Sequence, residues 1–238
     1  SSSSSSTITA TEDQLPSLES FHIPQRSLRG SGGTCEAAQL YLANLLSMDS
    51  YFLEVFATLV ESVVLPQLKA RLDAAAGKEE GEEKVAATGG SAASPTARQP
   101  SSSSPPTTFY YQYPPTLRLQ PGRSERTVRR HHDAEYGHQQ GELNYWMPLT
   151  DLQLTRTTLW VESYEDACDD HPLNVTYGEI ACFHGSACRH HVPCNESEYT
   201  RVSLDFRVGV EGYFDPKWSM RGTKEDHGRR RVVVGGVE

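Results

Sequence analysis

From residue 108 onward, short β-rich segments follow one another with no helical periodicity between them. FYYQY (109–113) and TLRLQ (116–120) are separated by Pro114-Pro115, and ELNYWMPL, TTLWVES, GEIACFHG and TRVSLDFRV follow. Gly, Pro, Asp and Asn clusters divide them, while β-branched and aromatic residues fill their interiors, the chemistry that suits a pleated, half-buried surface. Strands at this spacing favour an antiparallel sandwich or an open barrel. The chain is therefore expected to be mostly β.

Upstream the period changes. Between Cys35 and about Ala75, apolar residues recur at three- and four-residue intervals: Leu40, Leu42, Leu45 and Leu46, then Phe52, Leu53, Val55 and Phe56, then Leu59, Val60, Val63, Val64 and Leu68. That period predicts amphipathic helices, with Ser50 capping a second one and Pro66 kinking or breaking it. Laid on one sheet, such helices would bury both apolar surfaces. Residues 1–34 open with a serine run and read as a disordered tail. Residues 76–107 pass from charged to Gly/Ala/Ser to Pro/Ser and offer almost nothing to bury, so they read as a flexible insertion. The domain plan is then a tail (1–34), a helical segment packing on the core (35–75), an insertion (76–107), and a β core with a C-terminal extension (108–238).

A net charge of −9 argues against a general nucleic-acid binder. The basic runs RTVRR (126–130) and GRRR (228–231) are short and read as solvated surface or tail. No apolar run approaches a membrane span, the greasiest stretch (39–65) being broken by polar residues. The five cysteines (35, 168, 182, 188 and 194) are an odd, uneven set, unlike a dense secreted disulfide scaffold. The chain begins at Ser1 rather than Met, and an intracellular, cytoplasmic protein is expected. Two glycosylation tripeptides occur, at Asn174 and Asn195. Oligomeric state is left open.

Chemistry concentrates in two places. In HHDAEYGH (131–138), strand alternation puts His131 and Asp133 on one face and His132 on the other. A histidine and a carboxylate on one face supply two ligands for a hard-to-borderline metal, and a third is needed. RHH (189–191) offers candidates. In TRVSLDFRV, Arg201, Ser203, Asp205 and Arg207 share one face, and Val202, Leu204, Phe206 and Val208 the other. A wholly polar face on a core-quality strand predicts a wet, functional cavity. Arg201 is the natural anchor there for a carboxylate, with the Ser203 hydroxyl beside it.

His131-x-Asp133, then His190, then Arg201-x-Ser203 resembles the signature of the Fe(II)- and 2-oxoglutarate-dependent oxygenases. The surrounding EYGH, GELNYWMPLT, TLWVES and TRVSLDFRV resemble the phytanoyl-CoA hydroxylase-like and streptomycin-biosynthesis-type subgroup, over roughly residues 108–214. The resemblance implies a double-stranded β-helix core, the jelly-roll of cupin-like folds. It implies an iron held by His131, Asp133 and a distal histidine. His190 is preferred over His191 because the subgroup's motif resembles a basic residue followed by the ligand, as in Arg189-His190. It implies 2-oxoglutarate as cosubstrate, held by Arg201 and Ser203, with O2 as the oxidant. The retained carboxylate at Asp133 favours hydroxylation of a small molecule, with release of succinate and CO2.

Asn144 is a further candidate for the cosubstrate, and Arg118 and Trp160 for the substrate. His138 and His184 read as supporting residues, and Tyr110, Tyr111 and Tyr113 as packing residues. Two rivals stand beside this reading. One is a zinc-binding Cys/His protein using Cys188, His190, His191 and Cys194, with His131 able to join. The other is a non-catalytic cupin-like binding module. The stretch GYFDPKWSMRGTKEDHG, after about residue 211, covers the pocket mouth or makes dimer contacts, and the sequence does not choose between these.

Overall fold

The computed structural model describes residues 18–20, 41–42, 44–87, 105, 107–125, 127–217 and 228–235, with the backbone course alone for 77–87. Most of the expected tail, Cys35, most of the expected insertion (88–104) and residues 218–227 lie outside the described residues.

The core is mostly β, and among the described residues ten strands form two antiparallel sheets. The strands are β1 (Thr107–Gln112), β2 (Thr116–Gln120), β3 (Val128–His131), β4 (Glu142–Pro148), β5 (Trp160–Val161), β6 (His171–Pro172), β7 (Ala181–Phe183), β8 (His190–Val192), β9 (Arg201–Val210) and β10 (Arg229–Val234). The larger sheet runs β10-β1-β9-β4-β7, with β2 also pairing β9; the smaller runs β3-β8-β5-β6. β9 is the spine. It pairs with β1, β2 and β4, and its alternation sorts two chemistries onto two faces.

The apolar face of β9 meets the helices. Helix α1 (Ser50–Leu59), a wide π turn (Val60–Val64) and helix α2 (Leu65–Ala87) lie against the larger sheet. Phe56, Val60, Val64, Leu65 and Leu68 pack with Phe109, Tyr111, Tyr145, Phe206, Val208 and Val210. Phe56 meets Phe206 edge-on, with ring centroids 5.2 Å apart, and Tyr145 stacks on Phe206 at 5.2 Å. Leu42, Leu46 and Phe52 extend the contact onto Leu117, Leu119, Val202 and Leu204. By length and composition the stretch Ser50–Ala76 passes for a membrane span, contrary to the expectation that no run approaches one. Its core-facing side chains are committed to the sheet instead.

Local details correct the expected helix. Asp49, not Ser50, is the cap: its carboxylate accepts the Phe52 N–H at 2.8 Å. Pro66 does not end the helix. A proline ring clashes with the carbonyl four residues back and lacks the N–H that carbonyl would accept. Here the preceding turn widens, Leu65 N–H reaching back five residues to Val60, and the helix runs on. It continues to Ala87, so residues 76–87 are helical rather than part of a flexible insertion. Glu, Lys and Ala are good helix formers, and the run GKEEGEEKVAA is built mainly from them.

The basic runs are also not mere surface. GRRR lies mostly in β10, which pairs along the whole of β1. Arg229 Nη2 donates to Glu142 at 2.6 Å, and Arg230 lies over the Tyr113 ring at 4.8 Å. Arg130, in β3, donates to Asp170 at 2.8 Å and also to the buried Glu162. Of the glycosylation tripeptides, Asn195 is 1% exposed. Its amide donates to the carbonyls of Gln120, Pro121 and Tyr199, so it is an internal tie and closed to modification.

Glu142, at the start of β4, is 1% exposed and lies between His138 Nδ1 at 3.0 Å and Arg229. Burial alone would raise its carboxyl, but the His138 hydrogen bond and the Arg229 charge outweigh that and hold it at about 2. A depressed acid stabilises the fold above its ordinary range and loses that contribution as pH falls towards the folded value. The wild-type protein should therefore lose ~3 kcal/mol between about pH 5 and pH 2 from this group alone. Glu142→Gln should be markedly less stable at pH 7 and show a flatter acid limb, read by urea unfolding at several pH values.

Candidate metal centre

The polar face of β9 looks into a cavity of about 130 Å³ between the two sheets. β2, β4, β7 and β9 supply one wall; β3, β8 and Leu159 supply the other, closed by Val128, Leu159 and Val192.

β3 carries the first residue of the cluster. It ends at His131, and the chain turns into a single 3₁₀ turn, Asp133–Tyr136, closed by Gly137 in the left-handed region. The strand is therefore shorter than the alternation in HHDAEYGH implies. The side-chain phase survives, because His132 between them keeps an extended backbone (φ −110°, ψ 150°). Asp133 N–H donates to Gly185 O at 2.8 Å, which fixes where the turn begins. His132 turns away and faces Glu135.

β8 carries the second histidine. His131 pairs with His190 across the β3–β8 ladder, their ring centroids 4.4 Å apart. On the other side of β8, Val161 pairs with His190 and Trp160 with His191. The cavity takes His190; His191 stacks on Trp160 at 5.9 Å, outside the cavity lining. Trp160, expected at the substrate, belongs to that outer stack and is not among the residues lining this cavity.

His131, Asp133 and His190 are buried, and their donor atoms lie within 4.8 Å of one another. His131 Nδ1 lies 2.7 Å from Arg129 O, and His190 Nδ1 lies 3.1 Å from Cys188 O. A carbonyl only accepts, so each ring donates from Nδ1 and leaves the Nε2 lone pair facing inward, the orientation that metal-binding histidines adopt. Those Nε2 atoms lie 3.6 and 3.4 Å from Asp133 Oδ1. Burial would raise the Asp133 carboxyl; contact with both imidazoles and the Arg207 charge hold it well below the usual carboxylate range. Two neutral-capable nitrogens and one anionic oxygen, converging in a buried pocket, form a donor set for a borderline divalent metal.

Asp133 has two further partners. Asn144 Nδ2 donates to its Oδ2 at 2.7 Å and Arg207 Nε donates to the same oxygen at 3.0 Å, while Arg207 Nη2 makes an ion-pair contact with it at 2.9 Å. Asn144, expected at the cosubstrate, lines the cavity and donates to Asp133 through Nδ2, while its Oδ1 is buried without a partner among the described residues. Arg118, expected at the substrate, is bonded in a fork to Asp205 at 3.0 and 3.1 Å on the cavity rim. The strand register explains both: Asn144 faces Arg207 across β4–β9, and Arg118 sits beside Asp205 across β2–β9.

Arg201 completes the wall, and Ser203 follows it on the same face of β9. Arg201 is 5% exposed and Ser203 0%. Arg201 Nε and Ser203 Oγ are buried without a hydrogen-bond partner among the described residues. Burial pushes the Arg201 guanidinium down to about 10, with Asp205 opposing and Arg118 assisting. It therefore stays charged at neutral pH, and a buried cation with an idle donor is costly unless an anion meets it.

The other expectations fall as follows. His138 binds Glu142, and His184 Nε2 donates to Gln140 O at 2.6 Å. Tyr111 is core, its hydroxyl donating to Glu61 at 2.7 Å, and Tyr113 packs on Phe56. The zinc set is not brought together: Cys188 lies in an apolar cluster, His191 on Trp160, and Cys194 beside Glu196. Among the described residues the one cluster able to hold a metal is His131, Asp133 and His190. Arg207 and Gly185 were not singled out beforehand. Arg207 shares the polar alternation of β9, which is a signal; Gly185 carries none.

No family model matches the chain. The streptomycin biosynthesis protein StrG of Streptomyces griseus is 35% identical over 102 residues, which are 43% of this chain and 47% of that protein. The chain thus matches about half the length of that relative. Among solved structures, the nickel complex of the non-heme monooxygenase ThoJ is 19% identical over 55% of this chain and 53% of its own, with a TM-score of 0.39. The non-heme, α-ketoglutarate-dependent epimerase SnoN of nogalamycin biosynthesis is 15% identical over 51% and 58%, with a TM-score of 0.36. Similarity this partial to solved structures does not by itself assign a function.

Proposed function

We propose that this chain is an Fe(II)- and 2-oxoglutarate-dependent dioxygenase that hydroxylates a small molecule, of the streptomycin-biosynthesis-type, phytanoyl-CoA hydroxylase-like subgroup. Its core, within residues 108–238, is read as a double-stranded β-helix, a reading supported by two antiparallel sheets facing each other across a cavity. One observation carries the functional reading: a buried His131–Asp133–His190 cluster shares its cavity with a buried, charged and idle Arg201. The StrG match supports the streptomycin-biosynthesis part of that reading.

The residues fit the groups the reading requires. His131 Nε2, His190 Nε2 and Asp133 Oδ1 would hold the iron, and Arg201 with Ser203 would hold the far carboxylate of 2-oxoglutarate by charge-assisted hydrogen bonds. Ferrous iron bound there supplies, with O2 and 2-oxoglutarate, the oxidising power that hydroxylates a C–H bond while 2-oxoglutarate is converted to succinate and CO2. The protein's own work is positional. The carbonyls of Arg129 and Cys188 fix the two imidazoles. Val128, Leu159, Val192 and Phe183 present apolar walls that exclude water and orient a C–H bond near the cluster. Arg118 and Asp205, at the rim, neutralise each other and leave the mouth without a strong charge preference.

Purified protein supplied with Fe(II), ascorbate, O2 and 2-oxoglutarate should release succinate, and release should rise in the presence of the right acceptor from a small-molecule panel. Mass gain of one oxygen in that acceptor supports hydroxylation. Turnover that leaves acceptor mass unchanged points to epimerisation, and absence of succinate with every acceptor contradicts the assignment.

A further inference from the structure

The structure assigns Asn144, Arg207 and Gly185 a joint positioning role: together they cap one oxygen of Asp133 so that the other alone is offered to a metal. This inference rests on the metal reading above. An ionised carboxylate oxygen has about two lone-pair sites for donors. Asp133 Oδ2 accepts two hydrogen bonds, from Asn144 Nδ2 at 2.7 Å and Arg207 Nε at 3.0 Å, and Arg207 Nη2 lies against it as an ion-pair partner at 2.9 Å. It has nothing left for a metal. Oδ1 receives none of these and faces both imidazole Nε2 atoms. A carboxylate restrained in this way occupies one coordination position rather than two, leaving more positions open for exchangeable ligands.

The cap is itself supported from behind. Arg207 Nη1 donates to Gln112 Oε1 at 3.3 Å, and Gln112 Nε2 donates to Thr116 Oγ1 at 2.8 Å. Gln112, Asn144 and Arg207 are all buried. The guanidinium fork is thus fixed from the β1–β2 turn, and its charge is matched by Asp133. Gly185 acts twice. Its carbonyl accepts the Asp133 N–H. A Cβ at 185 would overlap the Asn144 side chain, whose amide atoms are its three nearest neighbours. Only a residue without a side chain lets the Asn144 amide lie where it reaches Oδ2. The three residues are 41 and 63 positions apart in the chain (185 − 144 = 41; 207 − 144 = 63), yet they converge on one oxygen.

The test is equilibrium binding of Co(II), followed by its absorption spectrum and by calorimetry on the full chain, with folding verified by circular dichroism. Asn144→Ala and Gly185→Ala should each weaken Co(II) binding by ~10–100-fold, the usual effect of losing a partner that orients a ligand. The double variant should bind as Asn144→Ala does, because the added Cβ then meets no amide. Arg207→Gln, which keeps one donor and loses the fork, should also weaken binding. Should Asn144→Ala fail to fold, Gly185→Ala carries the test alone, since it retains every native side chain. Folded single variants that bind Co(II) as tightly as wild type, or losses that multiply in the double variant, overturn the cap while leaving the metal reading intact. Wild-type protein that binds no Co(II) overturns both.

Discussion

His131→Ala should reduce metal affinity by more than ~100-fold and abolish 2-oxoglutarate turnover, while His132→Ala leaves both nearly unchanged. Loss of a residue that merely orients a ligand costs ~10–100-fold, so loss of a ligand itself should exceed that range. The two histidines are chemically identical and adjacent, so the contrast isolates geometry. His131 Nε2 faces Asp133 Oδ1, and its Nδ1 is fixed by Arg129 O. His132 points away towards Glu135, and its loss should cost no more than the ~1 kcal/mol typical of a helix-cap position. Metal titration of both variants checks this. Equal loss in the two, or greater loss in His132→Ala, contradicts the assignment.

Arg201→Met should have opposite effects on binding and stability. The guanidinium is buried, charged, and has an idle Nε, an arrangement that costs on the order of 1–3 kcal/mol in the ligand-free protein. A long apolar chain of similar length removes that cost, so ligand-free Arg201→Met should melt at a higher temperature than wild type. It should also lose 2-oxoglutarate affinity by ~100-fold or more, since a buried charge-assisted pair is worth a few kcal/mol. In wild type, 2-oxoglutarate should raise the melting temperature; in the variant that shift should vanish. A variant that melts lower and still responds to 2-oxoglutarate would refute the anion role.

What the sequence disclosed follows the range of the interactions involved. Strand alternation is local, so the two faces of β9 could be read directly: Val202, Leu204, Phe206 and Val208 against the helices, Arg201, Ser203, Asp205 and Arg207 towards the cavity. The same alternation grouped His131 with Asp133, although the strand ends sooner than expected, because one extended residue carries the phase across the turn. Alternation separates His190 from His191 but does not say which one faces inward. That is decided by pairing with His131 and Val161, a cross-strand register. The contacts of Asn144 and Arg118 were hidden for the same reason. Asn144 donates to Asp133 across 11 residues and Arg118 to Asp205 across 87. The basic run at 228–231 looked like tail because its partners Glu142, Tyr113 and Glu61 lie far upstream. Helix α2 extended past its expected end because propensity alone supports a helix where no apolar face is required.

A calorimetric titration of 2-oxoglutarate into the anaerobic protein, with and without Fe(II), in wild type, His131→Ala and Arg201→Met tests the metal and anion roles together. Wild type should show one-to-one binding that requires the metal and is lost in both variants. Binding that is absent from wild type, or that persists unchanged without metal and in both variants, contradicts both roles.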